Sequence, residues 1–385
     1  MNPTRFHLQQ VAPVAVEGKR DVEPRPYHRT FPGYRQSSLT SLPRLATQLG
    51  VAEVLVKDES ERFGLPSFKI LGGSWAVNRL IWQLRGESPQ GRTFDDLHAA
   101  AAELGEATLV TATDGNHGRG IARMARLLGL AAHVMVPNDM VAFRREAIAS
   151  EGAAVEIIDG DYDVAVRAAA NYASASADRH LVADVALTDT DHVPRWVMDG
   201  YHTILDEIGE QIDGRPDAIF IQAGVGALAG AAIDYYARRA PDVRAAVVEP
   251  LTAACLFESA VAGTSVSLDE SQGSMMAGLN CGTPSSVAWP LTAGRATAFI
   301  AIDDELAGDA MRLLADAGIV AGESGAAGIA GLIAAARDDE TREVLGLDEQ
   351  ARVLTINTEG VTDPENYRRI VGAKADELLE ESPNG

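Results

Sequence analysis

Three loops combine residue types that can do chemistry. The first is Gly64-Leu65-Pro66-Ser67-Phe68-Lys69, which sets a lysine at the start of a helical pattern running on through Gly72 and Gly73. A helix N-terminus carries partial positive charge, which disfavours a protonated amine and suits a lysine that must form an imine. An exposed lysine of ordinary basicity fits the same spacing. The second loop is Thr111-Ala112-Thr113-Asp114-Gly115-Asn116-His117-Gly118, between a strand pattern and a helix pattern. Small residues and backbone N–H groups at a helix start form an anion cradle, here sized for a carboxylate. Asn116 offers both donor and acceptor, and Asp114 offers a carboxylate that can handle a proton or cap the helix. His117 reads as a structural side chain. The third loop is Gln222-Ala223-Gly224-Val225-Gly226-Ala227-Leu228-Ala229-Gly230, a strand–glycine–helix passage of the form GxGxxxG. It fits one phosphate monoester at a helix N-terminus, and close helix–sheet packing accounts for the same glycines.

Taken together, a lysine, a carboxylate loop and a late phosphate loop are the parts that a pyridoxal-phosphate enzyme needs. The lysine forms the imine, the glycine loop takes the phosphate, and the N–H nest takes an amino-acid carboxylate. The Ser324-Gly325 turn and Thr358, in Thr355-Ile356-Asn357-Thr358-Glu359-Gly360, can meet a pyridine ring. A nicotinamide dehydrogenase would instead need an acidic residue about 20 residues beyond a GxGxxG turn in the first strand–helix unit, which this late loop does not provide.

These loops must be held by a scaffold, and the apolar patterning supplies one. Strand patterns cover 53–57, 108–112, 133–136, 154–158, 218–222, 244–248, 297–302 and 353–356. Helical patterns cover 71–84, 94–104, 118–128, 141–151, 163–174, 194–211, 227–238, 305–315 and 326–337. Strands alternating with helices of this length predict parallel βαβ units and an open, doubly wound α/β fold with mostly parallel sheets. Ligands in such sheets sit at the carboxyl ends of strands, where all three loops fall. The stretch 258–291, rich in glycine and proline, is expected to be irregular and either functional or mobile. Residues 380–385 read as a polar tail.

Composition narrows the class further. The chain has 385 residues, with 33 Lys+Arg against 55 Asp+Glu, a net charge of −22. Binding to nucleic acid or to an anionic membrane needs a basic surface, so both are excluded as main partners. With 46% hydrophobic residues and acids scattered along the chain, an acidic disordered tail is not expected either. Cys255 and Cys281 are the only cysteines, too few for a disulfide scaffold, and no metal-ligand spacing stands out. The first twenty residues lack an apolar run of signal-peptide type, and stretches such as 225–233 fall short of the roughly 20 residues of a membrane helix. The expectation is a soluble cytoplasmic protein of about two domains.

Ser67-Phe68-Lys69, Asp114-Gly115-Asn116-His117-Gly118, the Gly224–Gly230 loop and Glu323-Ser324-Gly325-Ala326 together resemble the tryptophan-synthase-like, fold-type II pyridoxal-phosphate enzymes. Within that group the chain is most similar to the diaminopropionate ammonia-lyases. The markers are Arg62-Phe63-Gly64-Leu65, Ala112-Thr113 running on to Arg119-Gly120, Met276-Ala277-Gly278-Leu279-Asn280-Cys281-Gly282 and Thr358-Glu359-Gly360. The resemblance implies α,β-elimination of 2,3-diaminopropionate to pyruvate and two ammonia, in the L and by extension the D series. Lys69 would bind pyridoxal 5'-phosphate covalently and take the Cα proton of an L-substrate, and Asp114 would act on the opposite face. Asn116 would hold the phenolic oxygen of the cofactor. Gly224, Val225, Gly226, Ala227 and Leu228 would hold its phosphate, and Thr358 its ring nitrogen. Thr113, Asp114 and Asp184 would meet the substrate, with Asp184 suited to a cationic β-amino group.

The resemblance also implies a homodimer, a large cofactor-binding domain from 1–90 and 186–385, and a small mobile domain from 91–185. It pairs Cys255 with Cys281 as residues able to form a disulfide near the entrance. The chain departs from the family pattern at Val185-Ala186-Leu187, where Thr-Ala-Trp is usual, which loosens the assignment of the substrate side chain. Rival readings are a serine, threonine or hydroxyaspartate dehydratase on the same scaffold, a β-replacement synthase, and a catalytically silent amino-acid-binding protein.

Overall fold

The computed structural model describes residues 4–9, 23–186, 192–268, 273–372, 375, 377 and 378. Leu187 and the tail at 380–385 lie outside the described residues. The eight apolar runs become strands, joined by three short ones. In chain order they are β1 (Arg5–Leu8), β2 (Leu39–Ser41), β3 (Glu53–Asp58), β4 (Thr108–Ala112), β5 (Ala131–Pro137), β6 (Ala154–Ile158), β7 (Arg179–Leu181), β8 (Ala218–Gln222), β9 (Arg244–Pro250), β10 (Ala298–Ile302) and β11 (Arg352–Asn357). The three unexpected strands, β1, β2 and β7, are short and only partly buried, so they carry no apolar run.

The chain divides into two compact units, one of Met1–Lys19, Gln36–Pro66 and Ile204–Gly385, the other of Arg20–Arg35 and Ser67–Thr203. The first contains a seven-stranded sheet in the order β1-β10-β9-β8-β11-β3-β2. Its inner five strands run parallel and its two edge strands are antiparallel to their neighbours. β8 and β10 are buried at every position, which is why they read as continuous apolar runs rather than alternation. Val54, Phe220, Val248 and Ile300 meet Met311, Leu314, Ile329 and Leu332 of helices Asp304–Asp316 and Ala327–Arg337 in the main core. From β8 the chain steps outward to β9 and β10, whereas β11 lies on the other side of β8. The strand order therefore reverses between β8 and β11, and ligands bind at the carboxyl ends flanking such a reversal.

The second unit repeats the logic with a four-stranded parallel sheet in the order β6-β5-β4-β7. β4, β5 and β6 step one way and β7 returns to the free side of β4. The reversal lies between β4 and β7, and Asp114 and Asp184 lie two and three residues beyond their carboxyl ends. Helix Lys69–Leu84 packs on helices Asn116–Leu128 and His192–Gly200. Glycines set this approach: a Cβ at Gly120 would stand 3.2 Å from Ile70 Cα, and one at Gly200 only 2.5 Å from the Leu71 carbonyl oxygen.

Two expectations need correction. The single helix predicted for 194–211 is two helices, His192–Gly200 and His202–Gln211, broken at Tyr201. Gly200, a weak helix former, is pressed against another helix backbone there. The compact units also cut the chain differently from the expected 1–90 with 186–385 against 91–185. Helix Lys69–Leu84 packs on helix His192–Gly200 and on the helix after β4, and both Lys69–Leu84 and His192–Gly200 fall with the small sheet. The stretch 258–291 holds the end of helix Cys255–Ala262, a 3₁₀ turn at Ala277–Leu279 and the start of helix Trp289–Ala293. No helix among the described residues is long and apolar enough to cross a membrane.

Candidate active site

Lys69 is the first residue of its helix, and its Nζ lies 2.8 Å from Asp184 Oδ2. The second oxygen of Asp184 accepts from the Tyr162 hydroxyl at 2.9 Å. The lysine side chain is 16% exposed and that of the aspartate 6%. Burial works against both charges, but the pair overrides it. The Asp184 carboxylate, with Tyr201 and Asp114 behind it, holds the Lys69 ammonium well above the usual lysine range. In return Asp184 is held well below the usual carboxylate range, by Lys69 first, then by His117 and the Tyr162 hydrogen bond. The helix-terminus argument from sequence predicts a less basic lysine, and the ion pair reverses it.

Asp114 moves the other way. Burial raises its carboxyl above the usual range, the negative charge of Asp184 adds to this, and Lys69 and Arg144 only partly oppose it. Two carboxylates at one strand reversal are thus pushed apart, one downward and one upward, the arrangement that divides acid–base roles. Asp114 does not cap the following helix. Thr113 holds that loop, its hydroxyl accepting from the N–H groups of Gly115 at 2.9 Å and Gly118 at 3.0 Å. Gly115 turns the chain at φ +147°, and Asn116 opens the helix. His117 Nε2 donates to the Val182 carbonyl at 2.8 Å, tying the β4 loop to the β7 exit. Tyr162 and Tyr201 were not legible as site residues, since no motif or spacing marks them.

In the other unit, Gly226 adopts φ +97° and opens helix Ala227–Arg239. The N–H groups of Gly226, Ala227, Leu228 and Ala229 have no carbonyl within the helix to meet, as at every helix start. Gly224 and Gly226 also pack closely. A Cβ at Gly224 would stand 2.9 Å from Cys281 Sγ, and one at Gly226 3.2 Å from Leu256 Cδ1. The phosphate and packing readings of this loop therefore coexist. Cys255 and Cys281 are both buried, and Cys255 Sγ lies 3.8 Å from the Gly224 carbonyl oxygen. At the β8–β11 reversal, Gln222 Nε2 donates toward Thr358 Oγ at 2.9 Å and lies within 3.1 Å of the carbonyl oxygens of Ser324, Gly325 and Ile356. Ser324 Oγ accepts from Gly278 N–H at 3.1 Å.

Arg62-Phe63-Gly64-Leu65 forms a tight turn with reciprocal hydrogen bonds between Arg62 and Leu65, and with positive φ at Phe63 and Gly64. Arg62 is buried against Glu59 and Glu207, and Lys57 Nζ shares Glu207 at 2.8 Å. Charges buried this deeply persist only when paired, so the cluster pins the turn that leads to Lys69.

This donor set fits pyridoxal phosphate. A glycine-lined helix N-terminus suits a phosphate, a buried hydroxyl at a strand reversal suits a neutral ring nitrogen, and a lysine suits the aldehyde. Comparison with known proteins agrees. Residues 30–359 match the family described as pyridoxal-phosphate dependent enzyme. The chain is 37% identical over 361 residues to the diaminopropionate ammonia-lyase of Escherichia coli strain K12, covering 90% of each chain. It is 36% identical over 364 residues to that of Salmonella typhimurium, again covering 90% of each. Among solved structures it is similar to the holo diaminopropionate ammonia lyase of Escherichia coli, with a TM-score of 0.87, 34% identity and 96% and 97% of the two chains covered. The same Escherichia coli enzyme in complex with an aminoacrylate–pyridoxal-phosphate azomethine intermediate gives a TM-score of 0.84 at 34% identity, again covering 96% and 97% of the chains. The chain belongs to the fold-type II pyridoxal-phosphate-dependent enzymes and, within them, to the diaminopropionate ammonia-lyase family.

Proposed function

We propose that this protein eliminates ammonia from 2,3-diaminopropionate, giving pyruvate and two ammonia, with the L-isomer as substrate and the D-isomer admitted through Asp114. The observation that carries this reading is Asp184, a buried carboxylate held ionised at the β4–β7 reversal. A fixed buried anion suits a cationic β-amino group and offers nothing comparable to the hydroxyl of serine or threonine. The names of the similar Escherichia coli and Salmonella enzymes support the same substrate.

When bound, pyridoxal phosphate supplies an electron sink that makes the Cα proton of an amino acid acidic. The residues of this chain supply the rest. Gly224, Val225, Gly226, Ala227 and Leu228 would hold the phosphate, Thr358 would meet the ring nitrogen through a neutral hydroxyl, and Asn116 would meet the phenolic oxygen. Lys69 Nζ takes the Cα proton on one face, and Asp114 takes it on the other for a D-substrate. An amine leaves well only when protonated, and Asp184 keeps the β-amino group in that form while Tyr162 fixes the carboxylate. A cytoplasmic homodimer is part of the proposal.

The test is a panel of L- and D-2,3-diaminopropionate, L-serine and L-threonine, followed by release of pyruvate or 2-oxobutyrate. Preference for the diamine supports the reading; equal or better turnover of serine or threonine replaces it with a dehydratase. Lys69→Ala is expected to lose about 10²- to 10⁴-fold in turnover, the usual scale for a general base, together with the borohydride-reducible yellow colour.

A further inference from the structure

Tyr201 stands at the break between helices His192–Gly200 and His202–Gln211. Its ring packs on Phe68, the residue before Lys69, with centroids 4.7 Å apart. It also lies over Gly72, where a Cβ would stand 2.5 Å from Tyr201 Cε1. The ring therefore spans the first turn of the helix that begins with Lys69, and the bare Cα of Gly72 makes room for it. Tyr201 is 0% exposed, and its hydroxyl has no hydrogen-bond partner among the described residues. Leaving a buried hydroxyl unpaired is unfavourable, and phenylalanine of the same shape would avoid that cost. Such an orphan calls for a reason beyond packing.

The surroundings supply one. Lys69, Asp114 and Asp184 each act on the phenol electrostatically. Tyr162 and His117 belong to other helices around the same cluster: the Tyr162 hydroxyl donates to Asp184, and His117 acts on Asp184 electrostatically. Among the described residues, the carboxylate that Lys69 meets is that of Asp184, at 2.8 Å. If Asp184 receives the β-ammonium of the substrate, as the proposed function has it, Lys69 must give up that partner in a buried setting while it is being called on as a base.

We propose that the Tyr201 hydroxyl is the reserve hydrogen-bond partner of the Lys69 amine, taking it over when a cationic substrate group occupies Asp184. This makes Tyr201 a positioning residue for Lys69, and it rests on the reading of Asp184 as the β-ammonium site. With a substrate whose β-group is uncharged, Asp184 stays with Lys69 and the phenol is not called on.

The experiment is Tyr201→Phe in the cofactor-loaded full chain, with L-2,3-diaminopropionate and L-serine compared, and with thermal unfolding of the cofactor-free protein alongside. Loss of one hydrogen bond to a charged group predicts a fall in kcat on the diamine on the order of tenfold or more. KM is expected to change by less than about twofold, and serine turnover by less than about twofold. The cofactor-free variant is expected to melt at the same temperature or higher, because an orphan hydroxyl has been removed. Equal losses on both substrates, no loss on either, or a lower melting temperature would each overturn the proposal and leave Tyr201 a packing residue. Absence of diamine turnover in the unmodified protein would overturn the underlying reading of function as well, which separates the two failures.

Discussion

Lys69 and Asp184 are 115 residues apart in sequence and 2.8 Å apart in space. The contact ties the first turn of a helix to the carboxyl end of β7, and it sets the charge of both groups. Each protects the other from the neutralisation that burial would otherwise impose.

Asp184→Asn removes the charge that holds Lys69 protonated. The basicity of the lysine is expected to fall, so the pH at which the cofactor-free protein takes up pyridoxal phosphate at half its maximal rate should move to a lower value. Stopped-flow absorbance across a pH series checks this. In steady-state kinetics KM for the diamine should rise more than KM for serine. An unchanged ratio would show that Asp184 does not recognise the β-amine.

Asp114→Asn keeps the shape of the side chain and removes its proton chemistry. Turnover of D-2,3-diaminopropionate is expected to fall by about 10²-fold or more, the scale of a lost general base, and the L-isomer by far less. Matched assays of the two isomers decide it. Equal losses would mean that Asp114 shapes the loop rather than serving one face.

Gly200→Ala places a methyl group 2.5 Å from the Leu71 carbonyl oxygen, a backbone atom that cannot swing aside. The helices must separate, at a cost of about 1–3 kcal/mol as for other overpacked sites. Urea denaturation should show this as a lower midpoint. Gly273→Ala, where a Cβ meets nothing within 4 Å among the described residues, is the control and should change little.

Glu249 gives a pH dependence with a definite sign. Its carboxylate accepts from Leu256 N–H at 2.8 Å and Phe257 N–H at 2.7 Å, yet complete burial pushes its pKa up to about 8. Between the ordinary glutamate value of 4.5 and about 8, the folded chain holds a proton that the unfolded chain has lost. Stability from this group therefore falls as pH rises through that window, by at most about 1.4 kcal/mol per pH unit, and levels off above it. Glu249→Gln should flatten that slope in melting experiments between pH 5 and 8, on the scale set by linkage.

Much of the scaffold was legible because buried parallel strands announce themselves. β4 and β8 begin and end where their apolar runs do. The glycine loops were legible for a similar reason, since tight turns and helix starts constrain residue type locally. The rest depended on partners distant in sequence. β7 is three residues long and takes its place from pairing with β4, so nothing local marks it. The helix break at Tyr201 follows from Gly200 lying against Leu71, a contact absent from any periodicity. The charge state of Lys69 was misjudged for the same reason: the helix terminus is a local cue, and the carboxylate that outweighs it arrives from far along the chain.

The two strand reversals carry different kinds of work. The side chains proposed to act on the substrate, Lys69, Asp114 and Asp184, and those proposed to hold them, Tyr162 and Tyr201, belong to the unit of Arg20–Arg35 and Ser67–Thr203. The glycine loop and Thr358 belong to the other unit. On the proposed reading, the acid–base contacts are therefore written in one stretch of the gene, and the phosphate and ring-nitrogen contacts in others. A lineage built on this plan can change what leaves the β-carbon by altering one stretch, while the grip on phosphate and ring nitrogen is inherited intact.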